Sequence, residues 1–365
     1  MKHGYIRTAA AVVAAVFLCA GSTRAAEFPG SVSAKSAILV DAGSGRVLFE
    51  KNADERSLIA STTKIMTGLL VCEAGDLERE VSVPAEAAGV EGSSLYLKAG
   101  ERITVRELLY GLMLRSGNDA AVALAIVSAG SVEAFAERMN EKARALGMEH
   151  THFENPNGLD GEEHYSTARD LAKLCAYAME NETFRAVSSS KSFTENGRSF
   201  TNHNKLLWRV AGADGVKTGY TKRAGRILAG SAARDGQRLI CVTICDPDDW
   251  RDQQALLEYG FSEFPARTIV TAGETVGSTA VVGSRTQRVS LVTGAEFSYP
   301  LAEGEAIETV LHAPEFSYAP VLPGQAGWLV ILVDGAQVSQ VPVYYAQTAE
   351  ASEPESGIWK RIFGG

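Results

Sequence analysis

The segment STTKIMTGLLV, residues 61–71, predicts a helix that other elements must enclose. Five large apolar residues leave it almost no polar face: Ile65, Met66, Leu69, Leu70 and Val71. Ser61 stands where an N-cap residue is expected, and Lys64 stands where a capping box would have Glu or Gln. A cation in the first turn opposes the helix macrodipole by roughly 0.3–1 kcal/mol at an exposed site, and a buried charge costs more. Lys64 therefore needs a functional explanation.

Hydrophobic periodicity along the rest of the chain predicts an α+β fold. Alternating residues predict a β-hairpin over 36–50, with its turn at 43–45. Helical patterns follow at 104–114, 119–129, 131–146 and 167–180, then strands at 226–233 and 238–245 and a helix at 251–259. This order is typical of helices packed on an antiparallel sheet.

The pattern changes near Pro265. From there the chain consists of short, alternating segments bounded by glycines, such as TVGSTAVV, RVSLVTG and GWLVILVDG, which are typical of β-strands. We expect a first domain over residues 30–265 and a small all-β sandwich domain over 266–347. The second domain contains no catalytic motif, which favours a role as a spacer or docking domain.

Both ends of the chain carry localisation signals. Lys2 and Arg7 precede a short apolar run and the small-x-small site Thr23-Arg24-Ala25, which together predict a cleaved signal peptide over 1–25. We therefore expect an exported protein at the extracytoplasmic face of the membrane, in the periplasm or in the cell wall. Residues 348–365 are predicted as an acidic linker ending in IWKRIFGG, whose apolar residues could lie on a membrane surface as an anchor.

Charge and cysteine content exclude several classes of protein. The net charge of −9 argues against nucleic-acid binding. Cys72 and Cys175 fall in apolar helical patterns, and Cys241 and Cys245 fall on one face of a predicted strand, too far apart for a disulfide. No CxxC or HExxH pattern occurs, so we expect no metal ion and no organic cofactor.

A Ser-x-x-Lys pair offers an explanation for Lys64. Residues three apart on a helix share one face. The hydroxyl of Ser61 becomes nucleophilic when an adjacent base takes its proton. A lysine can be that base when burial and a nearby cation lower its pKa from about 10.4. A second match, Ser188 with Lys191, lies in a segment predicted as a polar loop, and we interpret it as a chance match.

Two further motifs strengthen the pair. Ser116-Gly117-Asn118 lies between two predicted helices, where the serine could relay a proton and the asparagine amide could orient a peptide. DGVKTGYT contains a Lys-Thr-Gly triplet just before a strand pattern. A specified tripeptide is expected by chance well under once in a chain of this length.

Each residue of the triplet has a physical use. Lys217 would lower the pKa of Lys64 and bind a substrate carboxylate. Thr218 would offer its hydroxyl to the same carboxylate. Gly219 would let a substrate backbone lie close to an edge strand.

The three motifs, in this order, resemble those of low-molecular-mass penicillin-binding proteins, the serine-type D-alanyl-D-alanine carboxypeptidase family. The resemblance covers roughly residues 30–265 and includes ILVDAGSGRVLFEKNADERSLIASTTKIMT and NKLLWRVAGADGVKTGYTKRAG. The β domain and the tail fit the family's usual C-terminal layout. The resemblance implies a penicillin-binding and β-lactamase-like fold for the first domain.

The resemblance also implies a role for each motif residue. Ser61 would be the acylated nucleophile, Lys64 its base and Ser116 a proton-transfer group. The substrate-binding residues would be Asn118, Lys217, Thr218 and Gly219. The backbone amides of Ser61 and Tyr220 would form the oxyanion hole. Family members often place an arginine after the last strands of the sheet, and Arg251 is the nearest candidate, which we do not assign to the site.

The implied reaction is hydrolysis of the last peptide bond of a peptidoglycan stem peptide ending in D-Ala-D-Ala. β-Lactam antibiotics would mimic that dipeptide and trap Ser61. A β-lactamase shares the motifs, but its Glu-x-x-Leu-Asn pattern is absent between Asn118 and Lys217. The motifs are also compatible with a catalytically idle wall-binding protein, and with a transpeptidase or endopeptidase that uses the same acyl-enzyme.

Overall fold

The computed structural model describes residues 28–352, and the chain divides after Pro265 into two compact units. We call them the helical unit, residues 28–265, and the β unit, residues 266–352. The predicted signal peptide, 1–25, and residues 353–365 of the predicted tail lie outside the described residues. Between residues 28 and 352, no single helix is long and apolar enough to cross a membrane.

The helical unit is built on a five-stranded antiparallel sheet. Its strands are β1 (Ser36–Asp41), β2 (Val47–Lys51), β3 (Glu80–Ser82), β4 (Arg102–Thr104), β5 (Ser192–Glu195), β6 (Arg198–Thr201), β7 (Ala213–Thr221), β8 (Gly225–Arg234) and β9 (Gln237–Ile244). The order in the main sheet is β2-β1-β9-β8-β7, so β7 is an edge strand. The pairs β3–β4 and β5–β6 form small separate hairpin-like sheets.

Helices cover both faces of the main sheet. They are α1 (Lys64–Ala74), α2 (Val105–Leu114), α3 (Asn118–Ala129), α4 (Val132–Ala145), α5 (Ala168–Glu180), α6 (Glu182–Ser189), α7 (Leu206–Arg209) and α8 (Asp249–Glu263). Ile38 and Val242 point from the sheet into the large core that includes α1 and α5. Leu39 and Leu239 lie an odd number of positions from Ile38 and Val242 on the same strands, so their side chains point to the opposite face. There they contact the position of Gly260 in α8. The predicted α+β class is confirmed.

Predicted elements of the helical unit hold to within four residues at each end, but two interpretations of single residues need correction. The sequence pattern predicts a polar loop around Ser188, but Ser188 is buried in α6 and its hydroxyl lies 3.2 Å from the carbonyl of Asp214. Lys191 lies beyond the helix and contacts the ring of Trp208. Cys245 is exposed and follows β9 rather than belonging to it.

The β unit contains only strands among its described elements, as the alternating pattern predicts. They are β10 (Ala266–Val270), β11 (Thr275–Val282), β12 (Arg288–Thr293), β13 (Phe297–Pro300), β14 (Ile307–His312), β15 (Phe316–Tyr318), β16 (Gln325–Val333) and β17 (Ala336–Tyr345). Six form one sheet in the order β14-β16-β17-β12-β11-β15, and β10 pairs with β13. Residues such as Leu291, Ile331 and Val343 fill its core.

Candidate active site

Ser61 and Lys64 meet because the chain enters α1 through a 3₁₀ turn, Ala60–Thr63. Side chains three residues apart eclipse one another in this geometry, and Lys64 Nζ lies 3.0 Å from Ser61 Oγ. The sequence predicts Ser61 as the N-cap of the helix, which is wrong: α1 begins at Lys64, and Thr63 is its N-cap residue. Ala60, just before the serine, has a positive φ of 44°, which is a strained conformation for a residue other than glycine.

Lys64 is fully buried, and two oxygen acceptors fix its amine. Nζ lies 2.7 Å from Asn118 Oδ1 and 2.5 Å from the backbone carbonyl of Asn157. A neutral amine has two hydrogens and one lone pair, so these two acceptors leave the lone pair for the hydroxyl of Ser61. Burial, and then the charge of Lys217, hold the pKa of Lys64 well below its usual value, while Asp119 opposes that shift. The arrangement favours a lysine that can accept a proton.

The Ser-Gly-Asn motif lies in the connection between α2 and α3. Ser116 has a positive φ of 62° and is nearly buried, and its hydroxyl makes no hydrogen bond to any residue between 28 and 352. Asn118 is the first residue of α3, and its Nδ2 donates to the carbonyl of Glu91 at 2.6 Å. The amide of Asn118 therefore positions Lys64, and its remaining N–H is the one that a substrate could use.

The Lys-Thr-Gly triplet lies on the edge strand β7. Lys217 is buried, its Nζ lies 3.0 Å from the carbonyl of Thr218, and burial lowers its pKa to about 7. A Cβ on Gly219 would lie 3.2 Å from the amide nitrogen of Thr62 and 3.3 Å from that of Ser61. Gly219 thus lets the strand approach the 3₁₀ turn itself, whereas the sequence interpretation attributes the glycine to a substrate backbone. Tyr220, the next residue, is 65% exposed.

The loop of residues 154–160, which the sequence analysis does not identify as part of the site, supports Lys64 through backbone carbonyls. Besides the Asn157 carbonyl, the Pro156 carbonyl accepts from Thr67 Oγ1 of α1 at 2.7 Å. Gly158 has a φ of 84°, and a Cβ there would lie 1.9 Å from the carbonyl oxygen of Ala60. Only glycine fits here, because the residue has a positive φ and its Cα packs directly against the backbone carbonyl of Ala60.

A buried histidine links the same loop to the turn. His164 Nδ1 accepts from the amide of Glu154 at 3.1 Å, so its Nε2 carries the proton and donates to Thr63 Oγ1 at 2.7 Å. Burial, with smaller effects of His152 and Lys64, lowers the pKa of His164 to about 4. The imidazole is therefore neutral at pH 7 and holds Thr63, one of the two residues between Ser61 and Lys64, in place.

Comparison with known proteins identifies the family. Residues 22–248 match the peptidase S11 family, described as D-alanyl-D-alanine carboxypeptidase. The chain belongs to this family. The D-alanyl-D-alanine carboxypeptidase DacF of Bacillus subtilis is 35% identical over 327 residues, 85% of this chain and 84% of the relative. DacC of Escherichia coli, of the same description, is 34% identical over 383 residues, 98% of this chain and 94% of the relative.

Solved structures agree with the sequence relatives. Penicillin-binding protein 5 from Haemophilus influenzae superposes with a TM-score of 0.76 at 29% identity, and the match covers 89% of this chain and all of that one. The Streptomyces K15 DD-transpeptidase superposes with a TM-score of 0.61 at 35% identity, over 64% of this chain and 98% of that one. This chain therefore has the fold of the carboxypeptidases and penicillin-binding proteins.

In this carboxypeptidase the arginine that the sheet pairs with the strand of the triplet is Arg226 rather than Arg251. Arg251 is 66% exposed on α8 and pairs with Asp248 and Asp252. The sheet instead places Arg226 of β8 opposite Tyr220, on the face that also carries Thr218. Its guanidinium pairs with Asp249 and remains partly exposed.

Two residues of the carboxypeptidase site escape the sequence reasoning, Asn157 and His164. Asn157 acts through its backbone carbonyl, which no side-chain motif reveals. The one signal in the sequence is the run Asn-Pro-Asn-Gly at 155–158, which predicts a tight turn without stating what the turn supports. His164 lies in the polar stretch GEEHYST, residues 161–167, and nothing in that stretch marks it as buried.

Proposed function

We propose that this chain is a serine D-alanyl-D-alanine carboxypeptidase that removes the terminal D-Ala from peptidoglycan stem pentapeptides through an acyl-enzyme on Ser61. The observation that carries the proposal is the buried amine of Lys64, which lies 3.0 Å from Ser61 Oγ and within hydrogen-bond distance of Asn118 Oδ1 and the Asn157 carbonyl. In its neutral form the amine would donate to those two acceptors and direct its lone pair to the hydroxyl of Ser61. A buried lysine of lowered pKa beside a serine is suited to activate that serine.

The first step is acylation. Ser61 Oγ attacks the carbonyl carbon of the penultimate D-Ala while Lys64 takes the hydroxyl proton. The backbone amides of Ser61 and Tyr220 receive the developing oxyanion, an effect often worth a few kcal/mol. The close approach of Gly219 to the turn supports this assignment, because it brings the two peptide groups to the same place.

The second step releases the terminal D-Ala and then the shortened peptide. The carbon–nitrogen bond breaks, and the leaving amine takes a proton relayed by Ser116 from Lys64. Lys217 and Thr218 hold the carboxylate of the leaving D-Ala. A bound carboxylate would favour the charged form of Lys217, whose pKa of about 7 lets it be neutral in the empty site. Water then hydrolyses the ester on Ser61.

Mass spectrometry after brief exposure to penicillin tests the nucleophile. We expect a stable adduct on the peptide containing Ser61 in the native chain and none in Ser61→Ala or Lys64→Met. Lys191→Ala is the matched control, since it alters the second Ser-x-x-Lys match and should acylate normally. An intact drug with no adduct on the native chain would contradict the proposal. Release of D-Ala from a pentapeptide is the accompanying assay.

Transpeptidation is a second candidate reaction, favoured by the structural similarity to the Streptomyces K15 DD-transpeptidase. The acyl-enzyme is the same, and only the acceptor differs. Supplying glycine or a D-amino acid during turnover of a pentapeptide separates the reactions. A product that carries the added amine would show transfer, and release of D-Ala without it would show hydrolysis.

A β-lactamase has less support. The group that lies behind Lys64 is the carbonyl of Asn157 rather than a carboxylate, and in residues 28–352 no Asp or Glu side chain hydrogen-bonds to Ser61 or Lys64. Fast deacylation of penicillin needs such a base. Destruction of many equivalents of penicillin without a persistent adduct would instead favour a β-lactamase.

We also propose that the enzyme works outside the cytoplasm and that residues 358–363 bind the membrane surface. Its relatives are named as D-alanyl-D-alanine carboxypeptidases and penicillin-binding proteins, and the predicted leader and the terminal IWKRIF support the placement. Sedimentation of the mature chain with lipid vesicles tests the tail. Ile358→Ser/Trp359→Ser/Ile362→Ser should abolish binding if the tail is the main anchor.

A further inference from the structure

A strip of apolar side chains lies exposed along one edge of the six-stranded sheet in the β unit. Val282, Phe316, Tyr318 and Leu322 are 49, 52, 70 and 66% exposed. Phe316 and Tyr318 belong to the edge strand β15, and their rings meet edge to face at 5.7 Å between centroids. Exposed groups of large apolar residues mark interaction surfaces more often than single ones do. We call these four residues the edge strip.

The register of the strands places Val282, Phe316 and Tyr318 on one face of the sheet. Tyr318 pairs with Val282 of β11, so their side chains lie on the same face. The residue between the two aromatics, Ser317, points the other way, and its hydroxyl lies 2.9 Å from the hydroxyl of Tyr345. Leu322 directly follows Val321, which is buried. The polar and buried residues thus face inward, and the apolar ones face solvent.

The chain leaves the described region beside this strip. Ser352 donates from its amide and its hydroxyl to the carbonyl of Gly283, at 2.8 and 3.0 Å, next to Val282. Ile358 follows Ser352 by six positions, and six residues span at most about 20 Å when fully extended. Ile358, where the apolar segment begins, is therefore tethered within about 20 Å of Ser352, which is bonded beside Val282.

The charge around the strip is mixed. Arg288 pairs in register with Ala280 and hydrogen-bonds to Ser278, and Arg285 is exposed in the preceding turn. Glu315 and Glu350, also exposed, carry the opposite sign. A contact with this surface would gain its free energy mainly from burial of apolar area. Phenyl and phenol side chains suit the boundary between lipid and water, where the hydroxyl of a tyrosine remains hydrated.

We propose that the edge strip is a membrane contact surface, inserted into the interfacial region of the bilayer beside the terminal segment. The proposal rests on the membrane binding of that segment proposed above. A tethered second contact forms at high effective concentration, so even a small apolar strip adds to the total affinity. Stable attachment to a membrane commonly takes two such signals. The β unit would then fix the orientation of this edge toward the lipid.

Vesicle sedimentation of the full mature chain tests the strip. The probe is vesicles of phosphatidylethanolamine and phosphatidylglycerol, and the variant is Phe316→Ser/Tyr318→Ser/Leu322→Ser. We expect its vesicle partition coefficient to fall about tenfold or more. The matched control is Ile307→Ser/Val310→Ser on β14, the opposite edge of the same sheet, where both residues are 42% exposed. The control should bind within about twofold of the native chain.

Each of the other outcomes would contradict the proposal that the edge strip contacts the membrane, and each has its own signature. Native binding by the strip variant, together with loss in Ile358→Ser/Trp359→Ser/Ile362→Ser, would leave the tail as the sole anchor. Stronger binding by the strip variant would mean that the strip holds the tail away from lipid. A native dimer in lipid-free solution that the strip variant lacks would assign the strip to a second copy. Acylation by penicillin, measured in every variant, reports the fold and the catalytic proposal independently.

Discussion

Two buried lysines dominate the site at the scale of single residues. Lys64 and Lys217 are both shielded from water, and each favours the neutral form of its own amine through burial. Lys64 can thus act as a base, and Lys217 can become charged when a carboxylate arrives. The cost of this arrangement falls on the empty enzyme, which must either bury each amine in its charged form or give up the proton that the amine would hold in water.

Replacing the acceptor beside Lys64 should move its pKa. In Asn118→Asp a carboxylate would stand 2.7 Å from Nζ, in the place of the amide oxygen, and would favour the protonated amine. We expect the acidic limb of the acylation profile to move to higher pH by about one unit or more. Penicillin acylation rates from pH 5 to 10 measure the shift, and Asn118→Ala controls for loss of the amide. A profile that only loses amplitude would argue against Lys64 as the base.

Removing the charge of Lys217 should stabilise the empty enzyme. The folded protein binds this proton more weakly than the unfolded chain does, because burial lowers the pKa from 10.5 to about 7. The penalty is therefore full below pH 7 and disappears as the pH rises toward 10.5. We expect Lys217→Met to raise the free energy of unfolding by roughly a few kcal/mol at pH 6 and by less at pH 9.5.

Denaturant unfolding at the two pH values provides this measurement, with penicillin acylation as the functional readout. Lys191→Met is the control, since that lysine lies on the surface over Trp208. An equal effect of Lys217→Met at both pH values would mean that the charge of Lys217 does not lower the free energy of unfolding.

Three elements converge on the reactive pair at the scale of secondary structure. The 3₁₀ turn brings Ser61 above Lys64, the start of α3 supplies Asn118, and the loop 154–160 supplies the Asn157 carbonyl. The loop is fastened to α1 through Thr67 and to the turn through His164. The geometry of Ser61 and Lys64 therefore depends on a loop that contributes no motif side chain.

Crowding this loop should damage the site. In Gly158→Ala the new methyl would collide with the carbonyl of Ala60, the residue before Ser61. We expect a loss of stability of about 2–4 kcal/mol and slower acylation by tenfold or more. Gly147→Ala is a matched control, because that glycine also has a positive φ but no atom within 4 Å of the new Cβ. It should cost about 1 kcal/mol and leave acylation unchanged. Equal effects of the two would show that only backbone conformation matters.

At the scale of the whole molecule, the motif residues are confined to the helical unit and the β unit contains none of them. Every motif side chain and its hydrogen-bond partners lie in the helical unit, which has its own large core. The β unit has a separate core of residues such as Leu291 and Ile331. A compact unit with its own core is expected to fold by itself.

A chain ending at Pro265 should therefore fold and acylate at nearly the native rate. We expect penicillin acylation within about threefold of the full chain, because no site contact is removed. Thermal unfolding of the full chain should show one transition that coincides with that of the shortened chain. A shortened chain that folds but does not acylate would mean that the β unit acts on the active site.

Sequence patterns predict much of the fold and the chemical identity of the site. Period-2 and period-3.6 hydrophobicity place the hairpin, α2, α3, α4 and α5, because burial of one face is a local property of the sequence. The motif side chains can be named because a Ser-x-x-Lys pair is itself local. The same reasoning wrongly predicts Ser61 as a helix cap. It also misses α6, because the polar residues of this helix hide the periodicity of the face that packs against β7.

What the sequence by itself determined is the set of reactive groups, their order along the chain and the element class of each segment. The tertiary structure alone decided how those groups act on each other. The contacts that bury and orient Lys64 join residues far apart in the chain. Lys64 and Asn118 are 54 positions apart, and Gly219 and the turn that it contacts are more than 150 positions apart. A pKa depends on the solvent and charges around a group in space, and these are fixed only when distant segments pack together.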